Sequence, residues 1–361
     1  MLKALLITLG DPGKLTGGYL YHRRMAALAP RFDARLGFAS FPDWPFPLPA
    51  LAAPSVLGRA NRLRPDVLVL DSIAAGYAGP WLNLRPPRAP LAAMLHQPPG
   101  GIGHGSLRTA TQAYLDRLAY RRTGLLLLAS ESLRDDLIAQ GMPGARMRVV
   151  PPGRDVAGAD AAVGPPRPET GEELRRGRAA AFLCVGNWLP NKGIHSLLEA
   201  FAGLPQDAAT LHLAGDDKAD PRYAAALRAR LREPDLAGRV VVHGPLPVTI
   251  LAGLYRRADV FVLPSVKETY GTVYGEAMTY GLPVVGWRAG NLPYLARHDQ
   301  EGLLVPTGDI KGLSAALERL AYDPDLRHRL GESALRKAQT LPTWEDSTRL
   351  FFDALRSVSR L

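Results

Sequence analysis

A single cysteine in 361 residues excludes an internal disulfide, and Cys184 stands in the apolar run Ala181 to Val185, where a buried core side chain is expected rather than a nucleophile. No apolar run approaches the length that spans a bilayer; the longest, such as Leu125 to Ala129, are the size of strands. The opening MLKALLITLG has one lysine and no small-residue cleavage site, so it reads as a first strand and not as a secretion signal. No zinc-finger spacing, basic zipper or RNA-binding aromatic motif accompanies the arginines, so nucleic acid is not the expected partner. GDPGK lacks the spacing and the Ser/Thr of a phosphate-binding P-loop. Asp323-Pro324-Asp325 precedes a helix and reads as a cap, and Asp216-Asp217 as a loop feature, so no metal site is expected.

What is present suits a globular protein of two domains. Apolar residues make up 47% and charged residues 22%, enough for full cores and too little charge for disorder. The net charge is +10, and arginines come in pairs (Arg23-Arg24, Arg121-Arg122, Arg175-Arg176, Arg256-Arg257) spread along the chain. An anionic membrane surface, an anionic substrate and a merely solvated arginine-rich surface all fit that distribution. A cytoplasmic location is expected, with peripheral attachment to the inner membrane face left open.

Strand and helix signals alternate twice along the chain. The first round runs from the strand Leu2 to Leu9, through the glycine-bearing loop Gly10 to Gly18 and the helix Tyr19 to Leu28, to a strand ending at Val150. A proline-rich segment, FPDWPFPLPA, cannot lie inside a sheet. Pro151 to Gly177 breaks the rhythm and reads as a linker, and a second round follows from Ala181. The pattern predicts an α/β protein with two Rossmann-like, doubly wound parallel sheets, over residues 1–152 and 178–342, and a last helix in 343–361. Ligands bind outside the carboxyl ends of strands in such sheets.

The second round contains the stretch that organises the chain, LPSVKETYGTVYGEAMTYGLP from Leu263 to Pro283. A strand ends at Leu263, Pro264 stops it, a loop carries Glu268, and Gly271 opens a helix over Thr272 to Tyr280. The free N–H groups of that helix start suit an anion, above all a phosphate. Glu268 and Glu276, eight apart on either side of it, are acceptors for hydroxyl groups. A phosphorylated, polyhydroxylated ligand such as a sugar nucleotide meets both demands.

The pattern PSxxExxGxxxxEAMxxGLPVV resembles the signature of the retaining glycosyltransferases of family four, which have the GT-B fold. The resemblance is strong from Phe182 to Leu341 and weaker over the first half. It implies two Rossmann-like domains facing across a cleft, the first on the acceptor side and the second binding the donor. The final helix would cross back to the first domain, with Trp344 at the crossing. A nucleotide-diphosphate sugar would be the donor and no further cofactor would be needed. Glu276 would bind the ribose, while Glu268, Tyr270 and the amides of Gly271, Thr272 and Val273 would hold the sugar and diphosphate.

Other positions follow from the same resemblance. Gly186, Lys192 and Gly193 match a loop that in the family carries a glycine, an arginine and a lysine-glycine pair, Lys192 neutralising the diphosphate. Asn187 stands where the arginine is usual, and Arg288 could replace it. Gly17-Gly18 match a glycine pair near the diphosphate, where the backbone approaches a ligand closely. His96, ending a strand, would lie near the reacting sugar and the acceptor, with His104 as its only neighbour in sequence terms; the six remaining histidines have no assigned part. In AGNLPYLA the acid usual after the proline is missing, next to Tyr294. Transfer of a sugar with retention, independent of metal, to an unidentified acceptor is the expected activity. A sugar-nucleotide binder of the same fold without transfer is the alternative, and an epimerase of this fold lacks carboxylates and histidines that can be assigned.

Overall fold

The computed structural model describes residues 1–13, 17–154 and 172–359. Lys14 to Thr16 of the first glycine loop, and residues 155–171 of the expected linker, lie outside the described residues. The chain divides into two compact units, one comprising Met1–Asp155 with Pro342–Leu361, the other Val156–Leu341.

In unit 1 the strands are β1 (Leu2–Leu9), β2 (Ala34–Phe41), β3 (Val67–Asp71), β4 (Leu91–Leu95), β5 (Leu125–Leu128) and β6 (Met147–Val149). They form one parallel sheet in the order β2-β1-β3-β4-β5-β6. The inner strands β3, β4 and β5 are nearly continuous apolar runs, buried throughout, because both faces are covered. Leu5, Ile7, Leu68, Leu70, Ala93 and Leu126 point into one core, while Leu6, Val67, Val69, Met94 and Leu127 point into the other. The second core is completed from the far end of the sequence: Phe351, Phe352, Leu355 and Val358 of the helix Trp344–Ser359 pack there against Tyr21 and Met25. Thr343 bridges to Arg154, and the Tyr21 and Trp344 rings meet edge to face at 5.9 Å.

One local reading changes, and one helix is added. Gly17-Gly18 do not end a loop; they form the first turn of the helix Gly17–Leu28. The helix Ala75–Leu84, AGYAGPWLNL, escapes propensity reasoning because it contains Pro80 and two glycines. Its glycines exist for packing. A Cβ on Gly79 would lie 2.5 Å from the Leu115 carbonyl of the helix Ser106–Tyr120, so only glycine permits so close a crossing.

In unit 2 the strands are β7 (Ala180–Val185), β8 (Ala209–Ala214), β9 (Val240–Gly244), β10 (Val260–Val262), β11 (Val284–Trp287) and β12 (Gly302–Val305). Their parallel order is β12-β11-β10-β7-β8-β9. Cys184 is buried in β7, and burial pushes its thiol up to about 12, so it is a core residue. Each sheet reverses its strand order once, between β1 and β3 in unit 1 and between β7 and β10 in unit 2. Connections diverge at such a point and leave a crevice at the carboxyl ends of the two strands. Among the described residues no helix is long and apolar enough to cross a membrane.

Candidate active site

The switch point of unit 2 collects most of the residues that the sequence singles out. The loop after β7 carries Gly186, Asn187 and Lys192, and the loop after β10 carries Glu268. Three contacts join them: Ser265 Oγ donates to the Asn191 carbonyl (2.9 Å), Val266 N–H donates to the same oxygen (2.9 Å), and Asn191 Nδ2 reaches the Lys267 carbonyl (3.3 Å). Gly193 makes the approach possible. Its φ is +68°, and a Cβ there would fall 2.0 Å from the Pro264 carbonyl. The result is an ion pair, Lys192 Nζ to Glu268 Oε2 at 2.5 Å, with both side chains about a fifth exposed or less (20% and 17%). A pair so placed is dry enough to be ordered and open enough for a ligand to enter.

Behind Glu268 the helix Thr272–Thr279 begins. Gly271 is its left-handed cap residue, with φ +83° and no side-chain cap. Tyr274 N–H turns back to the Gly271 carbonyl at 3.0 Å, so the amides before it are left for another partner. The loop after β11 supports this turn: Asn291 N–H donates to the Glu268 carbonyl (3.0 Å) and Asn291 Nδ2 to the Tyr270 carbonyl (2.9 Å). Tyr270 is half-buried, and burial pushes its phenol up to about 12. Thr272 is exposed and Val273 half-buried. Glu276 lies one turn further on, exposed, and accepts a hydrogen bond from Tyr255 Oη at 3.1 Å.

Asn187 does not join the pair. It is exposed, and its Oδ1 accepts the Asp216 amide at 3.2 Å, tying the loops after β7 and β8. Arg288 follows β11 and its guanidinium touches the Leu304 carbonyl at 3.5 Å. Asp217 pairs with Arg228, and Asp323 accepts the Leu326 amide at 2.8 Å, the cap read from the sequence.

The switch point of unit 1 holds a second cluster that sequence reasoning saw only in part. His96 follows β4, but its neighbours are Tyr21 and His22 rather than His104, whose ring packs over Gly101. His22 sits on the first helix and donates from Nε2 to Asp71 Oδ2 at 3.1 Å, at the end of β3. Thr8, near the end of β1, donates its hydroxyl to the same oxygen at 2.7 Å. His22 and Asp71 are 1% and 2% exposed. Burial raises the Asp71 carboxyl, but the field and hydrogen bond of His22, with His96 and Thr8, outweigh it and bring the group to about 2. Burial, then the neighbouring His22, bring the His96 imidazole down to about 3. Gly18 borders this cluster, since a Cβ there would touch His96 Cδ2 at 3.4 Å; Gly17 is exposed and has open space around it. His22 had no motif to mark it, because its partners lie 49 and 74 residues away in sequence and only the parallel topology joins them. Among the described residues His22, Asp71 and His96 are also the one group with the residue types and spacing to hold a metal ion.

Comparison with known proteins agrees with both halves of this picture. Residues 168–337 match the family described as glycosyl transferases group 1, and residues 6–153 match the glycosyl transferase 4-like domain. The chain is 32% identical over 232 residues to the D-inositol 3-phosphate glycosyltransferase of Corynebacterium jeikeium (strain K411), covering 62% of this chain and 54% of that one. It is 27% identical over 336 residues to the protein of the same name from Xylanimonas cellulosilytica, covering 88% and 78%. It spans about half the length of the corynebacterial relatives it matches. Its fold is similar to that of Anabaena Alr3699/HepE, solved in complex with UDP and glucose (TM-score 0.79, 21% identity, 99% of this chain and 100% of that one). It is similar also to sucrose-phosphate synthase from Thermosynechococcus elongatus (TM-score 0.80, 20% identity, 99% of each chain). With a family match on each unit, two parallel six-stranded sheets and the glutamate signature at the second switch point, the chain belongs to the family four glycosyltransferases of GT-B fold.

Proposed function

We propose that the protein is a retaining hexosyltransferase that takes its sugar from a nucleotide-diphosphate donor and uses no metal. The observation that carries this reading is the Lys192–Glu268 pair beside the uncapped start of the Thr272–Thr279 helix, at the switch point of unit 2. A diphosphate leaving group develops negative charge as the glycosidic bond breaks, and a preorganised cation with free amides stabilises it. Lys192 serves as that cation. On donor binding its ammonium turns from Glu268 towards the diphosphate, and the Glu268 carboxylate accepts hydrogen bonds from sugar hydroxyls. Glu276 receives the ribose, with Tyr255 holding its carboxylate. Tyr270, Gly186 and Asn187 border the same space, and the amides of Gly271, Thr272 and Val273 receive phosphate oxygens. The departing phosphate takes the acceptor's proton, so no side-chain nucleophile is required.

His96, with Gly18 beside it, serves the reacting sugar and the acceptor, and the backbone of Gly17 and Gly18 serves the diphosphate of the donor. The likeness to a structure holding UDP-glucose makes UDP sugars the first donors to try, and the curated relatives make D-inositol 3-phosphate the first acceptor. The net positive charge supports an anionic acceptor or an anionic membrane surface as the second partner.

The test is a panel of sugar nucleotides incubated with the protein, with and without acceptor, while released nucleotide diphosphate is followed. Turnover that survives excess chelator, with a product of the donor's anomeric configuration, supports the whole reading. Tight binding without release makes the protein a sugar-nucleotide binder. Loss of turnover on chelation, restored by magnesium or manganese, overturns metal independence.

A further inference from the structure

Unit 1 has a cavity of about 330 Å³ at the amino end of its sheet, where the chain enters β3 and β4. It lies a strand's length, about 15–20 Å, from Asp71 and His96 at the carboxyl end. Its size is at the lower end of the range of small-molecule sites. Arg64 and Arg88 line it from two sides, the first just past the helix Ala53–Arg62 and the second from the segment before β4. Asn61 ties these sides together: its Oδ1 accepts the Arg88 amide at 3.3 Å, and its NH2 group is left as a donor. Among the described residues neither guanidinium has an ion-pair, hydrogen-bond or ring partner. One acid faces the same space: Asp66 Oδ2 accepts the Lys3 amide at 2.7 Å, which leaves Oδ1 as an acceptor. Pro65, Ala89 and Pro90 make the rest of the wall apolar.

Arg64 is held there against its backbone preference. It ends the helix in the left-handed region, at φ +46°, with its N–H on the Asn61 carbonyl at 3.2 Å. Glycine ordinarily fills that position and bears no strain in it, so the turn itself does not call for an arginine. We propose that the cavity binds a phosphate ester that carries hydroxyl groups, with Arg64 and Arg88 clamping the phosphate and Asp66 accepting from a hydroxyl. Two guanidiniums on opposed sides suit the divergent oxygens of a phosphate, to which each donates as a fork. A ligand with charge and no hydroxyl would meet the Asp66 carboxylate unfavourably; a hydroxyl turns that contact into a hydrogen bond. Two sources carry this chemistry, a soluble sugar phosphate and the headgroup of a hydroxylated anionic lipid. Leu63 and Leu84 stand exposed (57% and 73%) at the ends of the helices that lead into β3 and β4, and give the lipid source its apolar contacts.

The experiment is calorimetric titration of the full chain with ribose 5-phosphate and with ribose, beside co-sedimentation with phosphatidylcholine vesicles made with and without phosphatidylglycerol. Arg64→Gly removes the guanidinium and the strain together, so the fold is kept, and Arg88→Gln keeps the amide on Asn61. The expected result is binding of ribose 5-phosphate, of phosphatidylglycerol vesicles, or of both, with none of ribose or plain phosphatidylcholine. That binding should weaken at high salt and fall about 10–100-fold in either variant. Binding of ribose 5-phosphate assigns the site to a soluble ligand; binding of the phosphatidylglycerol vesicles alone assigns it to a lipid headgroup. Lys192→Ala, in unit 2, should leave the affinity within about twofold. No binding of either phosphate probe, binding that neither arginine variant weakens, or binding that only Lys192→Ala removes overturns the proposal. None of these measurements uses turnover, so the site stands or falls independently of the glycosyl-transfer reading.

Discussion

The two units are built on the same plan and solve opposite problems. Each has six parallel strands and one reversal of strand order, and each gathers polar side chains where the order reverses. At the switch point of unit 2 the charges are half open: Lys192 and Glu268 face each other with about a fifth of each side chain exposed. At that of unit 1 they are closed, with His22 and Asp71 almost fully buried and the Asp71 carboxylate engaged from within by His22 and Thr8. Charge is divided just as unequally. The first 130 residues hold 15 lysines and arginines against six aspartates and no glutamate, while the remaining 231 hold 29 basic against 28 acidic residues. The excess of positive charge is thus a property of unit 1. An open ion pair is a place for an incoming charged ligand to exchange partners; a closed network fixes orientation.

That contrast can be broken most directly in unit 2. Glu268→Gln should abolish turnover yet leave nucleotide diphosphate affinity within about tenfold, because in the proposed reaction its contact is to the sugar. Lys192→Ala should slow turnover by a factor of about 10²–10³, the loss of one preorganised charge contact. If either variant transfers sugar at the parent rate, the open pair is an ordinary surface ion pair and the contrast disappears.

Next in size is a test of the closed unit's core. Phe351→Ala should cost about 3–5 kcal/mol, since the ring is fully buried in the second core of unit 1. Chemical denaturation should show unit 1 losing structure first, with nucleotide binding by unit 2 persisting into that range. A single unchanged transition would show that the units do not unfold independently.

The units should also differ in their response to pH. Asp116, on the helix Ser106–Tyr120, is buried with Oδ2 accepting the Gly100 amide at 2.8 Å and Oδ1 without a partner. Burial raises its carboxyl from 3.8 to about 7, the Gly100 amide offsetting only part of that. The folded protein keeps a proton that the unfolded chain releases above 3.8, so the group's stabilising contribution is full below that value and is lost as pH rises towards 7. Asp116→Asn should remove this slope, with a gain over the parent protein that grows between pH 4 and pH 8 by on the order of 2–4 kcal/mol. Parallel curves for the two proteins would show that Asp116 is ionised throughout.

Smaller effects sharpen the reading of unit 2. Glu276→Gln should weaken nucleotide diphosphate binding by about 1–3 kcal/mol, as loss of a charged acceptor does. The least effect is expected at Asn187, whose side chain spans the loops after β7 and β8. Asn187→Arg should strengthen diphosphate binding by about 1 kcal/mol at low salt and less at high salt, where screening grows. Unchanged or weaker binding at low salt would mean that a basic residue such as Arg288 already fills the place.

What the sequence revealed follows the range of the interactions involved. Glu268, Gly271 and Glu276 share one window of nine residues, and a strand, a proline and a helix start are local events, so that half of the site was legible. Lys192 was legible by its loop, although its pairing with Glu268 across 76 residues needed the fold. His22 was not, because nothing near it announces Thr8, Asp71 or His96. The helix Ala75–Leu84 was hidden for a different reason: its composition answers to a neighbouring helix, and intrinsic propensity would end it at Pro80.

The last helix carries one more consequence. Unit 2 is complete in sequence at Leu341, whereas the second core of unit 1 lacks Phe351, Phe352 and Leu355 until residues beyond that point are added. During synthesis, therefore, the unit begun first closes its core only after the whole sequence of unit 2 has been made. Until then the half with nearly all the net positive charge keeps apolar surface uncovered.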